Sequence, residues 1–129
     1  DIPQNVDAGT DGAVVNYTTP VGTDNSTGAV TTQIAGLASG SLFPVGTTTN
    51  TFRVTDICGN TAECSFDVTI TDNEDPEIVC PGDIPQNVDA GTDGAVVNYT
   101  TPVGTDNSTG AVTTQIAGLA SGSLFPVGT

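Results

Sequence analysis

From Ala62 to Thr71 the chain alternates strictly, with Cys64, Phe66, Val68 and Ile70 on one side and Glu63, Ser65, Asp67, Thr69 and Thr71 on the other. A two-residue period is that of a β-strand with one face in a core and the other in solvent. Thr48 to Asp56 alternates in the same way, placing Asn50, Phe52 and Val54 inward and Thr49, Thr51, Arg53 and Thr55 outward. The two segments are predicted to form a hairpin. A two-residue turn at Gly59-Asn60 would set Val54 opposite Ser65 and mix core with solvent, so parity disfavours it. A three-residue loop, Gly59 to Thr61, pairs Phe52 with Val68 and Val54 with Phe66. It also sets Arg53 opposite Asp67 on the outer face, an expected salt bridge of about 0.2–1 kcal/mol if exposed.

Further strands are expected at Gly12 to Thr18, Ala29 to Ile34 and near Glu77 to Cys80. Between them, Gly36 to Thr47 reads as a turn-rich crossover that drops Leu37, Leu42, Phe43 and Val45 into the core. Turn-forming residues interrupt the apolar runs roughly every eight to twelve residues, as in sandwiches and barrels. No segment sustains a 3.6-residue period, so no helix longer than a turn is predicted.

Residues Asp1 to Thr47 recur letter for letter as Asp83 to Thr129, so the period is 83 − 1 = 82 residues and the 129 residues hold about one and a half copies. Repetition on this scale implies a tandem array from which the chain is a window. The polar run Thr71-Asp72-Asn73-Glu74-Asp75-Pro76 directly after the strongest strand marks a domain boundary. Residues 1–75 are then one repeat lacking its own first strand, and residues 76–129 the N-terminal part of the next.

Fifteen acidic residues stand against one basic residue, Arg53, for a net charge of −14. Nucleic acid is excluded as a partner because phosphate contacts need Lys and Arg, and an anionic membrane surface is excluded on the same ground. No apolar stretch approaches the roughly 18 residues of a membrane span. The chain has no His and no Met, and Arg53 is its only Lys or Arg. Ser-His-Asp and Cys-His arrangements, Schiff bases, phosphate-loop lysines and Lys-Asn isopeptide links are thereby ruled out. Paired carboxylates remain, but they lie in turns and on outer strand faces, and two Tyr and four Phe are too few to suggest an aromatic-lined cleft. The chain reads as a non-enzyme.

Each period carries Cys58, Cys64 and Cys80 in a domain too small to be strongly stabilised by its core alone, which favours disulfides and an oxidising compartment. Zinc is disfavoured because there is no CxxC pair and no His.

Several dispersed motifs, in order, then carry a family resemblance. They are Cys80-Pro81-Gly82-Asp83-Ile84, Gly94-Ala95-Val96-Val97-Asn98-Tyr99, the run from Gly36 through Phe43-Pro44-Val45-Gly46-Thr47, Val54-Thr55-Asp56-x-Cys58-Gly59-Asn60, and Cys64-x-Phe66-x-Val68. Together they resemble the hyalin repeat (HYR) domain over the whole period. The resemblance implies an all-β fold of immunoglobulin-like sandwiches in tandem, an extracellular or cell-surface setting, and no catalysis. It also implies that Cys80 pairs with the equivalent of Cys64 one period later, and that Cys64 pairs with a cysteine before Asp1. Cys58 departs from that two-cysteine pattern. It is open to an intermolecular or inter-repeat bridge, a strained link to Cys64, or a free thiol.

Calcium is the one ligand the composition invites, since hard cations take clustered carboxylate and carbonyl oxygens. Its expected site is Asp72, Asn73, Glu74 and Asp75, a run that resembles the acidic linkers of cadherin repeats. Asp7 with Asp11, and Asp24 with Asn25, are lesser candidates. Asn16-Tyr17-Thr18 and Asn25-Ser26-Thr27, with copies at Asn98 and Asn107, fit the N-glycosylation pattern. The expected function is a structural repeat of a stalk or filament whose partners are identical neighbouring repeats or subunits. The alternative is an adhesin module that binds glycan or a protein receptor directly.

Overall fold

The computed structural model describes residues 1–128, and they fall into two compact units, Asp1–Glu74 and a second beginning at Asp75. In chain order the first unit contains β1 (Ile2–Asn5), β2 (Gly12–Val15), β3 (Val30–Ala35), β4 (Ser41–Pro44), β5 (Gly46–Thr55) and β6 (Thr61–Thr71). The strands make a four-stranded sheet in the order β1-β6-β5-β3 and a two-stranded sheet of β2 with β4. Val6, Ala13, Val15, Phe43, Val68 and Ile70 form the core, with Ile2, Tyr17, Leu37 and Phe66 packed against it. Residues of both sheets meet there, so the unit is a two-layer sandwich.

The long hairpin forms as the alternation predicts. Asn50, Phe52, Val68 and Ile70 are buried, Val54 and Phe66 half-buried, and the intervening Arg53, Glu63 and Ser65 exposed. The outer face carries a ladder of polar pairs: Thr47 with Thr69 at 3.2 Å, Thr49 donating to Asp67 at 2.7 Å, and Thr51 with Ser65 at 2.9 Å.

Its register differs from the expected one. Arg53 lies opposite Glu63 and Asp67 opposite Thr49. The salt bridge is accordingly Arg53–Glu63, with Arg53 Nε donating to Glu63 Oε1 at 2.7 Å. The physical reason is that parity fixes only which face a side chain takes, and both registers keep Phe52 and Val54 facing inward positions. The turn makes the choice. Asp56 Oδ1 accepts from the amides of Cys58 and Asn60 at 2.9 and 2.8 Å, while Asp56 Oδ2 accepts from Asn60 Nδ2 at 2.9 Å. That capped loop, closed by the amide of Asp56 on the carbonyl of Asn60 at 2.9 Å, runs from Asp56 to Asn60 and makes Thr55 and Thr61 the first pair. A double-mutant cycle on Arg53→Met and Glu63→Gln should give a coupling of about 0.2–1 kcal/mol, as for an exposed pair, whereas Arg53→Met with Asp67→Asn should give none. Thermal unfolding of the four proteins of each cycle measures both.

Two strands were not legible in the alternation. β1 contains Pro3 and runs parallel to β6, with Ile2 opposite Val68 and Asn5 opposite Thr71. A sheet edge tolerates a proline, and β1 is an edge strand. β4 lies inside the segment read as a crossover; it buries Phe43 but leaves Leu42 and Val45 exposed, correcting the expectation that both enter the core. Within β4 Leu42 alternates to the outer side while Phe43 takes the inward position against Ala13, and Val45 lies between β4 and β5, outside both strands. Cys64 is likewise exposed although it shares a face with Phe66.

The second unit holds β7 (Gly94–Val96) paired with β8 (Leu124–Pro126), the copies of β2 and β4, and an isolated bridge between Glu77 and Thr105. That bridge is all the described pairing in the stretch read as a strand near Glu77 to Cys80.

Candidate functional site

The side chains with chemistry to offer are spread along the hairpin, the turns and the acidic run. Tyr17 leaves β2 and crosses to the hairpin, where its ring meets Phe66 edge-on at 5.0 Å and Phe52 at 6.3 Å. Its hydroxyl donates to the carbonyl of Leu37 at 2.7 Å, and its amide donates to Ser39 Oγ at 2.8 Å. The tyrosine thus ties β2 to the segment before β4 and closes one end of the sandwich. On the other side of that segment, the buried Asn50 accepts from the amide of Leu37 at 2.7 Å. Asn50 occupies a core-facing position on β5 because it serves a backbone donor that no strand ladder reaches. The alternation marked Asn50 as inward; its partner was visible only in the fold.

Asp56 organises the hairpin turn. Hydrogen bonds from the Asn60 side chain and then the Asn60 backbone, against an opposing desolvation and with help from the backbone of Cys58 and Gly59, hold its carboxyl below the ordinary value of 3.8. Asp, Gly and Asn at the spacing Asp56-x-x-Gly59-Asn60 are the signal that such a turn leaves in a sequence. Asn60→Ala is expected to move the Asp56 midpoint upward toward 3.8, followed by carboxyl NMR shifts against pH. Because the folded value is depressed, the turn's stabilisation is present above the unfolded pKa and fades as pH falls through the folded one.

The three cysteines, Cys58 in the turn, Cys64 on β6 and Cys80 in the second unit, are exposed thiols here. Cys64 borders a shallow apolar hollow of about 160 Å³ lined also by Val21, Gly22, Phe52, Val54 and Ala62.

The acidic run is engaged locally. Glu74 accepts from the amide of Gly9 through both carboxylate oxygens, at 3.1 and 3.3 Å, and its own amide donates to Asp72 Oδ1 at 3.1 Å. Among the described residues no three Asp, Glu, Cys or His side chains converge closely enough to hold a metal ion, so Asp72, Glu74 and Asp75 are not gathered into a cluster. Of the lesser candidates, Asp7 accepts from the amide of Val14 at 2.8 Å and Asp24 from that of Ser26 at 3.3 Å. These acids act as turn and loop clasps. Asn16 and Asn25, the first residues of the glycosylation patterns, are exposed.

A sandwich of two antiparallel layers with a parallel edge strand, a tyrosine clasp and a long terminal hairpin defines an immunoglobulin-like β-domain. The 82-residue period makes it a repeated one. Within that class, the chain belongs to the HYR domain family, whose model matches residues 1–70 and again 71–129. It is similar to hyalin of Strongylocentrotus purpuratus, 38% identical over 131 residues, and to hyalin of Lytechinus variegatus, 35% identical over 131 residues. Each alignment covers 98% of this chain, but the chain spans only 11% and 24% of the two relatives. No solved structure matches it significantly.

Proposed function

We propose that this chain is a non-enzymatic extracellular structural repeat, joined end to end with identical neighbours into the stalk or filament of a surface or matrix protein. The observation that carries the reading is the exact 82-residue period, with each copy setting up the same local frame. Val14 and Val96 donate to Asp7 and Asp89 at 2.8 and 2.9 Å, and Tyr17 and Tyr99 donate to Leu37 and Leu119 at 2.7 Å in both copies. Identical units joined by identical short acidic linkers give a regular array, because every junction has the same geometry. The high negative charge keeps neighbouring arrays apart in solution.

Disulfides fit the same reading. Ile84 is the copy of Ile2, and Ile2 pairs in parallel with Val68. Cys80 stands four residues before Ile84, and Cys64 four residues before Val68, so the same register continued four residues upstream would set the two cysteine positions opposite each other in a repeat that contains both. The link would close a loop of roughly 65 residues and stabilise the repeat by about 4 kcal/mol. It releases two protons and two electrons to the oxidant of an extracellular compartment. Cys58 stays outside this pairing.

A protein carrying several consecutive periods tests both statements. Negative-stain electron microscopy should show rods that lengthen by a constant step per added repeat. Non-reducing peptide mapping should link Cys80 to the Cys64 equivalent and leave Cys58 open to alkylation. Compact particles of no fixed axis would sink the array, and full alkylation of all cysteines under oxidising conditions would sink the link.

A further inference from the structure

The four-stranded sheet ends on β3, whose outer side has no strand partner among the described residues. Such an edge offers a row of backbone N–H and C=O groups to another chain, and folded proteins blunt it with charge, proline or a covering segment. The opposite edge is blunted: β1 carries Pro3, which has no N–H, and Asp1 stands directly before it. β3 reads Val30-Thr31-Thr32-Gln33-Ile34-Ala35, uncharged, free of proline and rich in β-branched residues. The stretch that leads into a repeat does not cover it either. In the second unit Glu77 and Thr105, the copy of Thr23, exchange both backbone hydrogen bonds at 2.8 Å.

Charge leaves the same side open. No charged residue occurs between Asp24 and Arg53, in a chain whose net charge is −14. The one basic side chain, Arg53, lies opposite Thr32 on the neighbouring strand, while Glu63 and Asp67 lie one strand further in, on β6. Two copies that approach by acid-bearing sides repel each other, whereas by β3 they bring together backbone and neutral side chains. The side chains also match. In a symmetric antiparallel pair, residues of one face must meet residues of the same face, so paired positions sum to an even number. Centring the pair on Thr32 sets Thr32 against its own copy, Thr31 against Gln33 and Val30 against Ile34. Val30 and Ile34 are 60% and 44% exposed in the single chain, on the same side as Thr32, and this pairing covers each with the other. The register shift against β5 between Gln33 and Ala35 ends the usable edge there.

We infer that β3 is a lateral docking edge that pairs antiparallel with β3 of a second copy of the chain, about an axis at Thr32, joining two four-stranded sheets into one. The inference goes beyond end-to-end joining, because it links arrays side by side. The 82-residue period sets the same strand at the same place in every repeat, so contacts that are weak singly add along two arrays.

The test uses the 129-residue chain with Cys58→Ser, Cys64→Ser and Cys80→Ser, so that any thiol is one introduced by design. Thr32→Cys brings two sulfurs together across the axis, within the span of a disulfide, and mild oxidation of concentrated protein should give a covalent dimer. Val30→Cys sets its two copies four positions apart, beyond that span, and should stay monomeric, while a mixture of Val30→Cys with Ile34→Cys should cross-link. In the chain with Thr32 intact, hydrogen exchange should show protection at residues 30–35 that grows with protein concentration. By sedimentation, Thr32→Glu should weaken association at least roughly tenfold, since two carboxylates then meet at the axis. Asn5→Glu, the same charge placed on β1, should weaken it far less. Thr32→Glu stands beside Arg53 within its own sheet, so its unfolding temperature should not fall. Sodium chloride should strengthen association by screening the acids. No covalent dimer from Thr32→Cys, or as much from Val30→Cys alone, would overturn the inference. So would association that appears only with calcium and ignores Thr32→Glu, which would place acids rather than β3 at the contact.

Discussion

Phe43→Ala is expected to destabilise the first unit by about 3–5 kcal/mol, and the same change at Phe125 to cost the second unit roughly half of that or less. Phe43 is fully buried on β4, whereas Phe125, at the same place in the repeat, is only half-buried. The immediate sequence around the two is identical, so intrinsic strand propensity and turn chemistry cancel from the comparison. What differs is the layer across from them. Val68 and Ile70 share a core with Phe43, and truncating that ring leaves a cavity which the flanking strands cannot close. Urea unfolding followed by hydrogen exchange, with peptides from each unit read separately, gives the two values. Equal costs would mean that the hairpin does not seal the first unit as described.

The second large effect is expected at Gly36. Its φ is +86°, and an added β-carbon would overlap the side-chain oxygen of Asn50. Gly36→Ala therefore carries about 1–2 kcal/mol for a left-handed backbone with a side chain. Displacing a buried, hydrogen-bonded neighbour adds about 1–3 kcal/mol. The copy of this residue, Gly118, has φ +82°, and its β-carbon would meet only Gln115 Nε2 at 3.6 Å, an ordinary contact. Gly118→Ala should lose the backbone term alone, about 1–2 kcal/mol. The same unfolding experiment checks both. A Gly36→Ala protein no less stable than the Gly118→Ala protein would show that Asn50 gives way freely.

The regular part of the fold was readable where side chains alternate. The hairpin from Gly46 to Thr71, the inward set Asn50, Phe52, Val68 and Ile70, and the absence of long helix all follow from a period of two. The register was not readable, because shifting one strand by an even number of residues preserves every inward position. Only the hydrogen bonds of Asp56 to Cys58 and Asn60 separate the two choices. β1 escaped notice because it is short, contains a proline, and owes its extended form to a parallel neighbour more than sixty residues away. The acidic run was legible as charge, but its geometry was not. Glu74 turns to the amide of Gly9, a partner remote in sequence, and no cation cluster forms among the described residues.

The sequence by itself determined the period, the strand-forming alternation, the sign of the surface charge and the side-chain chemistries that are missing, since each is a property of residues and their near neighbours. The tertiary structure alone decided which distant residues meet in the core and which register the strands take. Val6 from the start of the first unit and Val68 and Ile70 from its end lie in one core, and Asn50 is buried where it meets the amide of Leu37. Hydrophobic burial depends on the surface that lies across from a residue, and that surface is set by strands distant along the chain.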